Sequence, residues 1–262
     1  MITSSQNPKL KLVRALMGRA RERREANAFV VEGVRLVEDA VHAGWKFQFA
    51  LYSDGLNERG NKLVAALKES NIEVDEVAGD LLQKLSDTEN PQGILAVLEF
   101  TQLPIPNSLD FILIPDQVRD PGNLGTLLRS AAATGVQAVL LPPETTDPFA
   151  PKVLRAGMGA HFRVPIREMM TWEEIRSVAK SAGLQVLIAD MDGTSCWETD
   201  LKKPLALVIG SEVEGVSEDA RKLATEKISI PMAGNVESLN AGVAGSVLMF
   251  EVVRQRPASS RQ

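Results

Sequence analysis

The sequence predicts an α/β protein in two parts, the second built on a parallel sheet. Three observations carry this reading. Short runs rich in Val, Ile and Leu alternate with segments of helical period along nearly the whole chain. The stretch TQLPIPNSLD, with Pro104 and Pro106, interrupts that alternation after about a hundred residues and has the composition of a linker. Beyond it the apolar runs become almost continuous, as in strands buried on both faces.

In the first part, residues 8–24 read as helix and AFVVEG (28–33) as a short strand. Residues 34–43 follow as helix, KFQFALYS as strand, 58–70 as an amphipathic helix, IEVDEV as strand, and GILAVLEF (93–100) closes the set. In the second part DFILIPD precedes a helix over 124–134, then come QAVLLPP, a helix near 151–156, FRVPI and a helix over 171–182. LQVLIAD, PLALVIGSE, a short helix over 217–224, KISIPM and a final helix complete it. The expected organisation is a domain over 1–100, a linker over 101–109, a second domain over 110–256, and a disordered tail over 257–262. Parallel sheets bind ligands beyond the C-terminal ends of their strands. The loops after DFILIP, LQVLIAD, PLALVIG and KISIP are therefore the ones to inspect.

Composition excludes several chemistries. Among 262 residues there are one cysteine and two histidines, too few for a disulfide framework or a ligand set with metal spacing. Cys196 lacks a basic neighbour and reads as a small structural residue. There is no GxSxG, P-loop or HExxH, and GMGAHF from Gly157 lacks the third glycine of a dinucleotide fingerprint. No apolar run is long enough for a membrane span and the N-terminus has no apolar signal core, so a cytoplasmic protein with no membrane partner is expected. Net charge is −5, but residues 1–35 hold eight basic side chains against three acidic ones. That net +5 leaves −10 for the remainder. The basic arm reads either as a phosphate-binding surface or as a solvated helix face.

Three loops carry candidate chemistry. In DQVRDPGNLGTLLRSAAATG, Pro121-Gly122 makes a turn and Asn123 is placed to cap the next helix, with Arg129 less than two turns from its start. In LVIGSEVEGVS, Gly210 permits a sharp exit and close approach of a ligand to the backbone, and Glu212 follows at the tip. In IPMAGNVESLNAGVAGSVLMFE, Ser238 is a plausible cap, and the helix behind it contains Gly242 and Gly245, each costing roughly 1 kcal/mol relative to Ala. Something must lie against that helix to offset the loss.

Together N-x-G-x-x-x-R-x-A (Asn123, Gly125, Arg129, Ala131), I-G-S-E-x-x-G (209–215) and I-P-M-x-G…S-L-N-x-x-V-A (230–244) resemble the three ordered motifs of the SpoU/TrmH family. These are SPOUT-class RNA ribose 2′-O-methyltransferases. SSQNPKLK, FVVEGVRLVEDAV and TENPQGILAV resemble the ribosomal-protein-like substrate-binding domain of the ribosomal-RNA branch. Ala241-Gly242 departs from the Val-Ser of many members. The resemblance implies a C-terminal domain with a deep trefoil knot, S-adenosylmethionine bent among the knot's loops, and a homodimer through the C-terminal domain. Small residues at the start of the last helix would let chain and cofactor pass close together. By the same likeness Gly210, Ile230, Leu239, Met232 and Asp190 hold the cofactor. Arg129 meets the target nucleotide, by clamping its phosphate or by activating the ribose hydroxyl, and Asn123, Glu212, Ser238 and Asn240 position both. The basic N-terminal set, Asn7, Lys9, Lys11, Arg14, Arg23, Arg24 and Arg35, would contact RNA. Large-subunit ribosomal RNA is the expected substrate. Transfer RNA, a non-catalytic RNA-binding role and an unrelated nucleotide-dependent enzyme are the alternatives.

Overall fold

A computed structural model describes residues 1–86, 88, 91–234 and 238–256. The expected tail, 257–262, lies outside them. The chain divides into two compact units: Met1–Thr101 with Phe149–Arg155, and Gln102–Pro148 with Ala156–Gln262.

The first unit begins with α1 (Pro8–Gly18) and α2 (Ala20–Ala26), followed by β1 (Ala28–Glu32), α3 (Val34–His42), β2 (Phe47–Tyr52) and α4 (Glu58–Glu69). β3 (Val74–Glu76), α5 (Gly79–Leu85) and β4 (Ile94–Glu99) complete it. Its sheet runs β1-β4-β2-β3, with β4 antiparallel to both neighbours and β2 parallel to β3. Leu10, Val13 and Leu16, spaced three apart on α1, pack with Val30, Leu51 and Val97 in one core. The single helix expected over 8–24 is two, because Gly18 ends α1 and Arg19 is extended (φ −111°, ψ 141°). The break frees the carbonyls of α1's last turn. Arg23, only 3% exposed, donates to one of them, Leu16, at 2.5 Å. α5 was not foreseen; its seven residues are too few for periodicity to register.

The second unit contains β5 (Phe111–Pro115), α6 (Pro121–Thr134), β6 (Ala138–Leu140), α7 (Pro151–Gly157), β7 (Ile166–Arg167) and α8 (Trp172–Ser181). β8 (Gln185–Ser195), β9 (Leu205–Ile209), α9 (Glu218–Leu223), β10 (Glu226–Ser229) and α10 (Ala241–Gln255) follow. Residues of α7 up to Arg155 group with the first unit. The sheet order is β10-β8-β9-β5-β6-β7, parallel throughout. The five residues of β5 and the five of β9 are all buried, as the apolar runs predicted. Strand order reverses between β5 and β9, the place where such sheets open a crevice.

Candidate active site

Three strand ends build the site. β9 stops at Ile209, and Gly210 leads into a tight loop closed by two backbone bonds between Ser211 and Gly215, 2.9 and 3.0 Å. A Cβ on Gly210 would lie 2.3 Å from the carbonyl carbon of Gly215, so no larger residue fits without opening the loop. The close approach that the sequence ascribed to a ligand is made by the loop itself. β10 ends at Ser229 and the chain continues through Ile230, Pro231 and Met232 toward α10. In β8 residues 189–193 are extruded: Lys227 of β10 pairs with Ile188, whereas Ile228 pairs with Thr194.

These segments and the first turns of α10 enclose a cleft of about 630 Å³. Asp190, Gly210, Ile230, Met232 and Leu239, the five positions expected to hold a cofactor, all line it, together with Glu212 and Ser238. Among the described lining residues there is one cation, Arg221, and two carboxylates, Asp190 and Glu212; the remainder is apolar side chain, hydroxyl and backbone. Such a slot suits an amphipathic ligand with more positive than negative charge.

Glu212 ties the cleft to the two helix starts beside it. Its Oε1 accepts from Asn123 Nδ2 (2.9 Å), Asn240 Nδ2 (2.5 Å) and the backbone N–H of Ala241 (3.1 Å). Asn240 Nδ2 also donates to Asn123 Oδ1 at 2.7 Å. A carboxylate at the N-terminus of α10 meets unsatisfied N–H groups and the positive end of the helix dipole. A smaller cavity of about 190 Å³ shares Ser211, Glu212 and Ala241 with the cleft and adds Val118, Arg119 and Asn123.

The caps differ from expectation. Asp120, not Asn123, caps α6, its side chain accepting from the Asn123 N–H at 2.8 Å with Pro121 in the first helical position. Proline favours that place because its missing N–H would be unpaired there. Asn123, thus inside the helix, has its amide free for Glu212. Likewise Asn240, not Ser238, caps α10 by accepting from the Val243 N–H. Arg129 stands apart. It is exposed on α6, about 9 Å along the axis from Asn123; it lines neither cavity, and no described residue pairs with it.

The two glycines of α10 serve packing against α6. A Cβ on Gly245 would sit 2.2 Å from Leu127 Cδ2 and 3.2 Å from Ile209 Cγ1, and one on Gly242 would meet Thr126 at 3.1 Å. Ala241, Ala244 and Leu248 are the α10 residues that face the cleft. The small residues expected to admit a cofactor are therefore divided between two faces.

Of the N-terminal candidates, Lys11, Arg14, Arg24 and Arg35 are exposed. Asn7 caps α1, Lys9 is held between Glu73 and Asp75, and Arg23 is buried against Leu16. Cys196 is buried, and burial, aided by the charge of Glu251, pushes its thiol up to about 11, which removes it as a nucleophile. Among the described residues no His/Cys/Asp/Glu group is placed to hold a metal, and no helix is long and apolar enough to cross a membrane. Sequence reasoning missed Arg221 and Lys227, both of which hold Asp190 (2.9 and 3.1 Å). In EDARKLATEK they are indistinguishable from a solvated charged face.

Residues 110–250 match the SpoU rRNA Methylase family, and residues 7–96 match the MRM3-like substrate binding domain. The chain is 33% identical to a 23S rRNA (uridine(2479)-2′-O)-methyltransferase of Streptomyces viridochromogenes, over 97% of this chain and 92% of that protein. It is 31% identical to the 23S rRNA (guanosine(2553)-2′-O)-methyltransferase RlmP of Bacillus subtilis, over 96% and 98%. Among solved structures it is similar to the SpoU methyltransferase AviRb of S. viridochromogenes in complex with AdoMet, with a TM-score of 0.85, 30% identity, and coverage of 95% and 98%.

Proposed function

Because the chain belongs to the SpoU rRNA methylase family, we propose that it transfers the methyl group of S-adenosylmethionine to a ribose 2′-hydroxyl of large-subunit ribosomal RNA. The observation that carries this reading is the convergence of all five expected cofactor positions on one cleft, which Glu212 joins to Asn123 and Asn240. Apolar side chains, hydroxyls and backbone make up most of the lining, which suits the nucleoside and thioether parts of that cofactor. What the cofactor supplies when bound is a methyl group on a sulfonium leaving group.

The chain's own residues supply placement. Backbone around Gly210, Ile230 and Leu239 holds the nucleoside end, with Met232 and the 189–193 segment at its edge. The Glu212 network is fixed before substrate arrives, so Asn123, Asn240 and Ser238 hold the ribose hydroxyl without reorganising, and in-line placement carries most of the rate. A guanidinium is a poor general base, which leaves Arg129 an electrostatic role. It clamps the target phosphate and stabilises charge there, which accords with its exposed place on α6.

We assign RNA capture to a domain over 1–100 and methyl transfer to 110–256, joined by 101–109. The exposed Lys11, Arg14, Arg24 and Arg35 supply phosphate contacts that weaken as salt rises. The trefoil knot belongs to the same proposal, and its support is the chain's membership of the family. We place the protein in the cytoplasm and as a homodimer through α10, whose Val243 and Phe250 are exposed.

Incubation with radiolabelled methyl donor and separate pools of unmodified ribosomal and transfer RNA tests the reading, beside Arg129→Ala. Label at a ribose of ribosomal RNA, lowered at least a hundredfold in the variant, is the expected result. Label in transfer RNA alone would keep the chemistry and overturn the substrate. An absence of cofactor binding would overturn both.

A further inference from the structure

Both carboxylate oxygens of Asp190 are engaged by the protein. Its Oδ1 accepts from the Asp192 N–H at 3.1 Å, and its Oδ2 accepts from Arg221 at 2.9 Å and from Lys227 Nζ at 3.1 Å. Burial alone would raise this carboxyl, but the bonds from Arg221, Asp192 and Lys227 hold it below the usual carboxylate range, so it is ionised at any working pH. Its two cationic partners come from different elements, Arg221 from α9 and Lys227 from β10.

What these contacts fasten is the segment extruded from β8. Residues 189–193 leave the ladder after Ile188 and rejoin it at Thr194, so they lack the strand pairing that holds the rest of β8. Ala189, Asp190 and Met191 form one wall of the cleft, and Met191 at the apex is 59% exposed. The far end is stapled separately: the Gly193 carbonyl accepts from Ser229 Oγ at 2.8 Å. Among the described residues, the side-chain bonds to the wall itself are those of the Asp190 cluster. α9 is in turn seated by Asp116, whose Oδ2 accepts from the Ser217 N–H at 2.6 Å.

We propose that Arg221 and Lys227, acting through Asp190, are positioning residues that keep residues 189–193 as a preformed wall of the cofactor cleft. This rests on the reading of that cleft as the S-adenosylmethionine site. A wall already in place removes an ordering cost from binding, so the cluster sets cofactor affinity and leaves the transfer step to the Glu212 network. Asp190 thereby acts on the cofactor through the shape of the loop, with its carboxylate turned to the protein.

Two measurements on the same variants test it: amide exchange of the ligand-free protein, and calorimetric binding of S-adenosylhomocysteine. Arg221→Met and Asp190→Asn are each expected to speed exchange at 189–193 at least tenfold and to weaken binding at least tenfold. The loss falls on KM for S-adenosylmethionine and not on kcat, and Arg221→Lys, which can still pair with Asp190, recovers most of it. Should Arg221→Met fail to fold, Lys227→Met takes its place, with a smaller shift of the same sign. Weaker binding with unchanged exchange would overturn the latch in favour of direct contact with the cofactor. Unchanged binding and exchange would overturn it outright. If the unsubstituted protein does not bind S-adenosylhomocysteine, the cofactor reading falls, while the ligand-free exchange still decides whether the latch exists.

Discussion

His161 lies buried in a short 3-10 turn, its Nε2 donating to the Pro148 carbonyl at 2.7 Å. The sequence showed it only as one of two histidines without metal spacing; its burial was not legible because the turn has no periodicity. Burial drives its pKa down to about 4, against smaller opposing effects of the Pro148 bond and the charge of Asp147. The sign of the consequence is fixed. As pH falls below about 6.5 the unfolded chain takes up a proton that the folded ring refuses, so stability present above 6.5 is lost on the way to 4. Between pH 7 and 4.5 the protein should lose about 2.5 kcal/mol more than His161→Gln, a gap readable from urea unfolding at the two pH values. Parallel pH profiles would show that the ring is not buried neutral. Asn123, Glu212 and Asn240 were easier to read, because each follows a recognisable strand and polar residues at strand ends draw notice. That they bond one another across 89 and 117 residues of sequence is a tertiary fact, outside the reach of any local pattern.

α10 is the element whose sequence posed the sharpest question, and its packing answers it. Gly245 faces Leu127 and Ile209, both buried, and Ser246 is hydrogen-bonded to Ser130 of α6 at 2.7 Å, so the two helices run in close contact. Replacing Gly245 by Val forces three extra carbons between Leu127 and Ile209. Overpacking of this kind costs about 1–3 kcal/mol, more than the few tenths regained in helix propensity. A fall in thermal midpoint of several degrees is expected for Gly245→Val. Gly242→Ala, with its nearest neighbours at 3.1–3.2 Å, should shift little. Equal midpoints for Gly245→Val and the parent would mean that the helices are not packed this closely. Most strands and longer helices were legible because they follow a period. The caps were not, since Asp120 competes with Asn123 for the start of α6 and Asn240 with Ser238 for that of α10, and only geometry decides between them. The extrusion in β8 was invisible for a related reason: pairing register is written in the partner strand.

At the scale of the molecule, Phe149–Arg155 groups with the first unit, which the sequence did not suggest because no composition change marks it. α10 also carries an exposed apolar stripe. Val243 (47% exposed) and Phe250 (53%) are seven residues apart on α10, about 10 Å along one face, with Val247 between them and only half-buried. Beyond Phe250 the face ends in Arg254, ion-paired to Glu251 at 2.7 Å, so the stripe is apolar with a polar rim. Such a stripe can be buried by a second copy of itself, since a two-fold axis brings the same patch to both sides. Light scattering should give twice the 28.4 kDa chain mass for the unsubstituted protein, and the single-chain mass for Phe250→Glu. The substitution lies on the side of α10 turned away from Ala241, Ala244 and Leu248, which line the cleft, so cofactor binding by the separated chains should persist. If the parent itself runs at the single-chain mass, α10 is not a dimer face, and Val243 and Phe250 await the RNA or another partner.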